Sequence, residues 1–172
     1  LRRLIFGWFK KSARQELPPV VAIDDPVLGR LEPEESDWLG KVSFEGRDIE
    51  IRLDGSASGP NAPGRGIAIH AIAELSVHKA NAVQFLHDDL KEKDRARGPY
   101  NFAITGIWAG SPQQNAQSCF TLILELEGDK YSLWRVEIGP NGPLYSGEIP
   151  KRNVRSGVSR QNLIVSTSPK LL

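Results

Sequence analysis

Methionine is absent from the 172 residues, and cysteine occurs once, at Cys119. A lone cysteine closes no internal disulfide and builds no cysteine metal cluster, which excludes a secreted disulfide scaffold. No apolar run approaches the roughly 20 residues that span a bilayer. The apolar stretch Leu4-Ile5-Phe6 to Trp8-Phe9 is too short for a secretory signal. Lacking methionine, the sequence has no initiator, so a processed or trimmed product is expected. Net charge is nearly missing as well, at +1.

That near-zero sum hides a sorted distribution. Residues 1–20 hold five bases and one acid, a charge of +4. Residues 21–150 hold twelve bases and twenty acids, a charge of −8. Residues 151–172 hold five bases and no acid. The expected organisation is a basic amphipathic segment and linker over 1–20, an acidic folded domain over 21–150, and a basic, flexible tail over 151–172. Leu163-Ile164-Val165 is the tail's main apolar cluster and offers an added strand. An acidic body argues against nucleic acid as its ligand, because phosphate neutralisation needs a basic surface. It favours a basic protein partner instead.

Residues 1–15 have helical periodicity, with Leu1, Leu4, Ile5, Trp8 and Phe9 on one face and the basic residues mostly away from it. Leu4, Ile5, Trp8 and Phe9 are the candidate membrane-contact residues, since aromatic and basic residues suit an anionic interface. The plainer reading is a terminal helix docked on the body. Leu17-Pro18-Pro19 ends the segment.

In the body, Val27–Leu31 reads as a short strand. Asp37–Phe44 and Asp48–Leu53 alternate apolar and polar residues around a turn at Glu45-Gly46, which is a β-hairpin pattern. Residues 55–66 read as a loop of small residues and breakers. A helix is expected over 67–95, optionally broken near Ser76 or Asn81. A meander follows. Tyr100, Phe102, Ile104 and Trp108 share a face of one strand. Phe120, Leu122, Leu124 and Leu126 share a face of the next, and Trp134, Val136 and Ile138 a face of the third. Leu144–Ile149 closes the set. The expected fold is α+β: an antiparallel sheet of about five to six strands, covered on one face by one long helix. Trp38, Trp108 and Trp134 are the expected large core residues.

Candidate chemistry is sparse. Gly59-Pro-Asn-Ala-Pro-Gly64 has phosphate-loop spacing, but Arg65-Gly66 replaces the Lys and Ser or Thr, and two prolines remove N–H donors. His70, Glu74 and His78, at i, i+4 and i+8, fall within about 80° of arc on one continuous helix. Two imidazoles and a carboxylate can bind zinc or iron, which makes these three the candidate metal ligands. A solvent-facing stripe is the plainer reading. His87 lies on another face beside Asp88-Asp89. Cys119 reads as a buried structural residue. Asp24, Asp25, Glu32, Glu34, Glu35 and Asp37 could serve paired-carboxylate chemistry, but a solvated acidic face is the plainer reading. No catalytic residue is assigned and no cofactor is expected.

Asp25-Pro-Val-Leu-Gly-Arg-Leu31, followed by Trp38-Leu-Gly-Lys-Val42 and the hairpin, resembles a bacterial family of uncharacterised domains. That family has a D-P-x-x-G-x-L segment, a W-x-G-x-V strand, a helix and a meander. The resemblance covers residues 24–149 and implies an α+β fold. Some of the family's relatives are similar to domains of toxin–immunity systems, which implies a binding role. The expected function is a non-catalytic interaction domain, in one concrete version an immunity-type inhibitor of a basic toxin. The alternatives are a metal-dependent enzyme and a membrane-peripheral domain. The expected location is the cytoplasm, with membrane association through residues 1–15 as the variant.

Overall fold

The structure, a computed structural model, describes residues 20–92, 100–110 and 117–151. The expected N-terminal segment, including Leu4, Ile5, Trp8 and Phe9, lies outside the described residues, as does the tail beyond Lys151.

The chain runs β1 (Ile23–Asp25), β2 (Gly29–Glu34), β3 (Asp37–Phe44), β4 (Arg47–Ser56), β5 (Gly59–Pro60), α1 (Ala62–Ala73), α2 (Leu75–Glu92), β6 (Phe102–Ala109), β7 (Phe120–Leu126), β8 (Ser132–Gly139) and β9 (Gly142–Pro150). The α+β class and a mostly antiparallel sheet are as expected. The count is not: among the described residues there are nine strands and two helices, where five to six strands and one helix were expected. The sheet order is β1-β2-β3-β4-β6-β7-β8-β9, with β5 paired to β4 off this path.

Two extra strands come from misplaced turns. Val27 and Leu28, read as strand, lie in the turn between β1 and β2. The Asp25 carboxylate fixes that turn by accepting from both backbone N–H groups, each at 2.9 Å. The loop read over 55–66 is also folded. β4 continues to Ser56, β5 returns against it, and α1 starts at Ala62 with a proline in its first turn. Gly64 packs beside β6, where a Cβ would lie at an ordinary contact distance of 3.4 Å from the Ala109 carbonyl oxygen.

The single long helix is two helices, parted at Glu74, whose φ of −112° and ψ of 20° leave the helical region. The break lies two residues before the earlier of the two break positions read from sequence. The helices form a crossover that brings β6 beside β4 in parallel, with Glu50 opposite Gly106 and Leu53 opposite Ala109.

Both helices pack on one sheet face. The core between the layers holds Leu28, Leu31, Trp38, Ile49, Ile51, Leu53, Leu86, Ile107, Leu122, Leu124, Trp134 and Val136, all buried. Each large apolar side chain removed from water contributes about 1.5–3 kcal/mol. Trp108 does not join this core. The pairing of β6 with β7 slips between Ile104 and Gly106, so Ile107 takes the inward place and Trp108 points to the open face.

Candidate functional site

The sorted charge of the sequence becomes a sorted surface. Residues 24–54, which span β1 to β4, hold ten acids and four bases, a charge of −6. Asp24, Glu32, Glu34, Glu35, Glu45 and Asp48 are exposed. Glu35 and Glu45 stand at hairpin turns with positive φ, 53° and 51°. Glu45 precedes Gly46, also at positive φ, in the two-residue turn that joins β3 to β4. The Glu45 carboxylate meets Lys79 Nζ of α2 at 2.5 Å, which ties this turn to the helix layer.

Two acids of this half are neutralised internally. Asp25 is bonded to Arg65 of α1. The Arg65 side-chain bond, helped by the Leu28 and Val27 N–H groups, lowers the Asp25 pKa to about 2 against the opposing effect of burial. The same contact raises the pKa of Arg65. Asp37 faces Arg52 Nη1 at 3.6 Å. Arg52 also meets Glu34 at 3.5 Å and Glu50 at 3.5 Å, and its guanidinium carbon lies 5.4 Å from the Trp108 ring centre. One arginine thus gathers three carboxylates beside a half-buried tryptophan on the open face. Of the six acids read as one cluster, Asp24 to Asp37, four meet arginines: Asp25 meets Arg65, Glu34 and Asp37 meet Arg52, and Glu32 meets Arg30.

A polar groove of about 370 Å³ lies where β4 ends and α1 begins, lined by Asp54, Gly55, Ser56, Ser58, Gly59, Pro60 and Asn61. This is the segment with phosphate-loop spacing. Asn61 occupies the cap position without a side-chain cap bond, and Arg65 is turned to Asp25. The arginine standing where a phosphate loop has lysine therefore serves a carboxylate.

His70, Glu74 and His78 span the junction of the two helices, where the Glu74 N–H donates to the His70 carbonyl at 3.3 Å and the His78 N–H to the Glu74 carbonyl at 3.1 Å. His78 Nε2 lies 3.9 Å from Glu74 Oε2, while His70 is exposed. Among the described residues no three His, Cys, Asp or Glu side chains are grouped to hold a metal ion. His78 instead packs edge-on to Phe120, ring centres 5.0 Å apart. Burial lowers its pKa, the nearby Glu74 opposes this, and His70 adds to it.

His87 is not paired with the neighbouring aspartates. Its Nε2 lies 3.1 Å from the Tyr100 carbonyl oxygen. Asp88 accepts from Gln84 and Asp89 from Ser146 Oγ, both at 3.1 Å. Cys119 is half-buried, and its backbone N–H donates to the Ile138 carbonyl at 2.7 Å. Sequence reading assigned no carboxylate partner to Arg52 or Arg65 and placed Trp108 in the core, whereas it lies on the open face. Gly106 within a strand was the available signal for the bulge that turns Trp108 outward.

Among the described residues no helix is long and apolar enough to cross a membrane. No family model matches the chain, and no curated protein or solved structure matches it.

Proposed function

We propose that this chain is a non-catalytic binding domain whose β1–β4 half receives a basic protein. The observation that carries this reading is the concentration of charge: residues 24–54 supply −6 of the −8 of residues 21–150. Six of those carboxylates are exposed, on strands and turns held in place by a buried core. A net-negative surface speeds encounter with an oppositely charged partner and selects against acidic ones. Arg52 limits repulsion among the carboxylates and leaves the face net negative. The resemblance to uncharacterised bacterial domains linked to toxin–immunity systems points the same way, and an immunity-type inhibitor of a basic toxin is the concrete form of the proposal.

The test is partner capture from extract of the native host, comparing the unaltered chain with the triple variant Glu32→Lys, Glu34→Lys, Glu35→Lys. The expected result is a basic protein retained by the former, released as salt rises, and lost with the triple variant. Capture of the same partner by both chains, or of an acidic partner, removes the reading.

A further inference from the structure

We propose that the basic partner docks by adding an extended segment as a strand to the outer edge of β1, with its apolar side chains against Val21, Ile23 and Val27 and a lysine or arginine beside Asp24. This docking mode rests on the basic-partner reading and narrows the contact to one edge of the acidic half. β1 is the first strand of the sheet order, and among the described residues only β2 pairs with it. On an edge strand, alternate N–H and C=O groups point away from the sheet and form a template for one more strand. Apolar exposure gathers at the same edge. Val20 is 39% exposed, Val21 73%, Ile23 36% and Val27 48%. The other large apolar side chains exposed among the described residues, Val77 and Tyr131, lie apart from this edge, in α2 and in the turn between β7 and β8.

The edge is held in place from within. Asp25, the last residue of β1, accepts from the Val27 and Leu28 N–H groups and from Arg65 of α1. These bonds fix the turn that carries Val27 and tie the strand to the helix layer. Ile23 stands opposite Leu31, which is fully buried, so this face of β1 carries the core outward to the edge. The Ile23 side chain leans toward β5, its Cδ1 lying 3.5 Å from where a Cβ on Gly59 would be. An apolar residue on an added strand would extend that core by one position and cover Ile23. A strand already ordered before binding costs little to fix, which leaves the backbone ladder and the side-chain contacts to the affinity.

Local charge selects the occupant. Successive strand residues point to opposite faces, so Asp24 lies on the face away from Ile23. Asp24 is exposed and has no ion-pair partner among the described residues. Arg30, opposite Asp24 in register, is bonded instead to Glu32 at 3.3 Å, which leaves the Asp24 carboxylate to a cation from outside. A segment that alternates apolar and basic residues answers both faces: its apolar side meets Ile23 and its basic side meets Asp24. A second copy of this chain does not. Antiparallel pairing of two copies centred on β1 sets one Asp24 against the other, and like charges directly opposite destabilise a ladder. The carboxylate thus guards the edge against self-pairing and admits a basic strand.

The test titrates the full, isotope-labelled chain with the peptide Lys-Val-Lys-Val-Lys-Val and follows amide and methyl NMR shifts. The shifts should concentrate at residues 21–27. The same peptide methylated at every backbone nitrogen should bind about tenfold more weakly, because it offers the ladder no donors. A Glu-Val peptide of the same length should lose about as much. Asp24→Lys should reverse the preference between the Lys-Val and Glu-Val peptides. Shifts centred on β3 and β4, or equal affinity of the methylated peptide, overturn the added strand and leave the acidic-half reading standing. Equal binding of the Glu-Val peptide at β1 overturns the choice of a basic segment and removes that reading with it. An unchanged preference in Asp24→Lys overturns the role of the carboxylate. Absence of shifts at millimolar peptide overturns the proposal. So do shifts at β1 that follow protein concentration alone, which give the edge to a second copy.

Discussion

Asp25 and Arg65, forty residues apart, join the first hairpin to the first helix through one carboxylate. One oxygen accepts from the Val27 and Leu28 N–H groups, and the other from the Arg65 guanidinium. Removing the carboxylate leaves the turn donors and the arginine without their acceptor. Asp25→Ala should cost about 1.5–3 kcal/mol, the range for hydrogen bonds to charged groups, read as a lower urea midpoint. Arg65→Ala should cost less, because its side chain is 37% exposed and the pair is screened.

The same pair sets an acid limit. The Asp25 pKa falls from 3.8 to about 2 on folding. A depressed carboxylate stabilises the fold above its unfolded value, and that contribution fades as pH falls through the folded value. Stability attributable to Asp25 should therefore be complete above pH 4 and fade from there toward pH 2. Asp25→Asn should flatten the stability–pH curve in that window alone. An unchanged curve there would count against the pairing.

His78 acts in the same direction at higher pH. Its pKa is lowered by burial beside Phe120, so the unfolded chain takes up the proton first. Stability should then decline as pH falls below the unfolded value of about 6.5. His78→Gln should remove the part of the decline that begins below pH 6.5. Denaturant titrations at half-unit steps measure it.

Gly55 is a packing constraint. A Cβ there would run into the Trp38 indole and come within 2.6 Å of the Gly59 carbonyl oxygen. Trp38 is 1% exposed and its indole N–H donates to the Ser56 carbonyl at 3.0 Å. Gly55→Ala should therefore destabilise by about 1–3 kcal/mol through overpacking. Gly66→Ala, where a Cβ meets nothing within 4 Å, is the control and should not destabilise. Comparable loss in both would contradict the steric account.

The acidic surface should be separable from the fold. Glu32, Glu34 and Glu35 are exposed, so their replacement by Lys should change stability by no more than about 0.5 kcal/mol. Thermal unfolding of the triple variant checks this, and a large loss would make any binding defect uninterpretable.

Sequence periodicity determined the β3–β4 hairpin, the inward faces of β7 and β8, and the α+β class, because alternation and turn residues act within a few positions of the chain. It determined the segregation of charge for the same reason. It did not determine how Glu74 divides the helices, since that residue is an ordinary helix former. Nor did alternation survive in β6, where a one-residue slip moved Trp108 from the core to the open face. The Asp25–Arg65 and Arg52–Glu34–Asp37–Glu50 contacts were decided only by tertiary structure. Apart from Arg52–Glu50 within β4, they join residues from separate elements, and only the order of strands and the crossing of α1 over the sheet brings those charges within reach of one another.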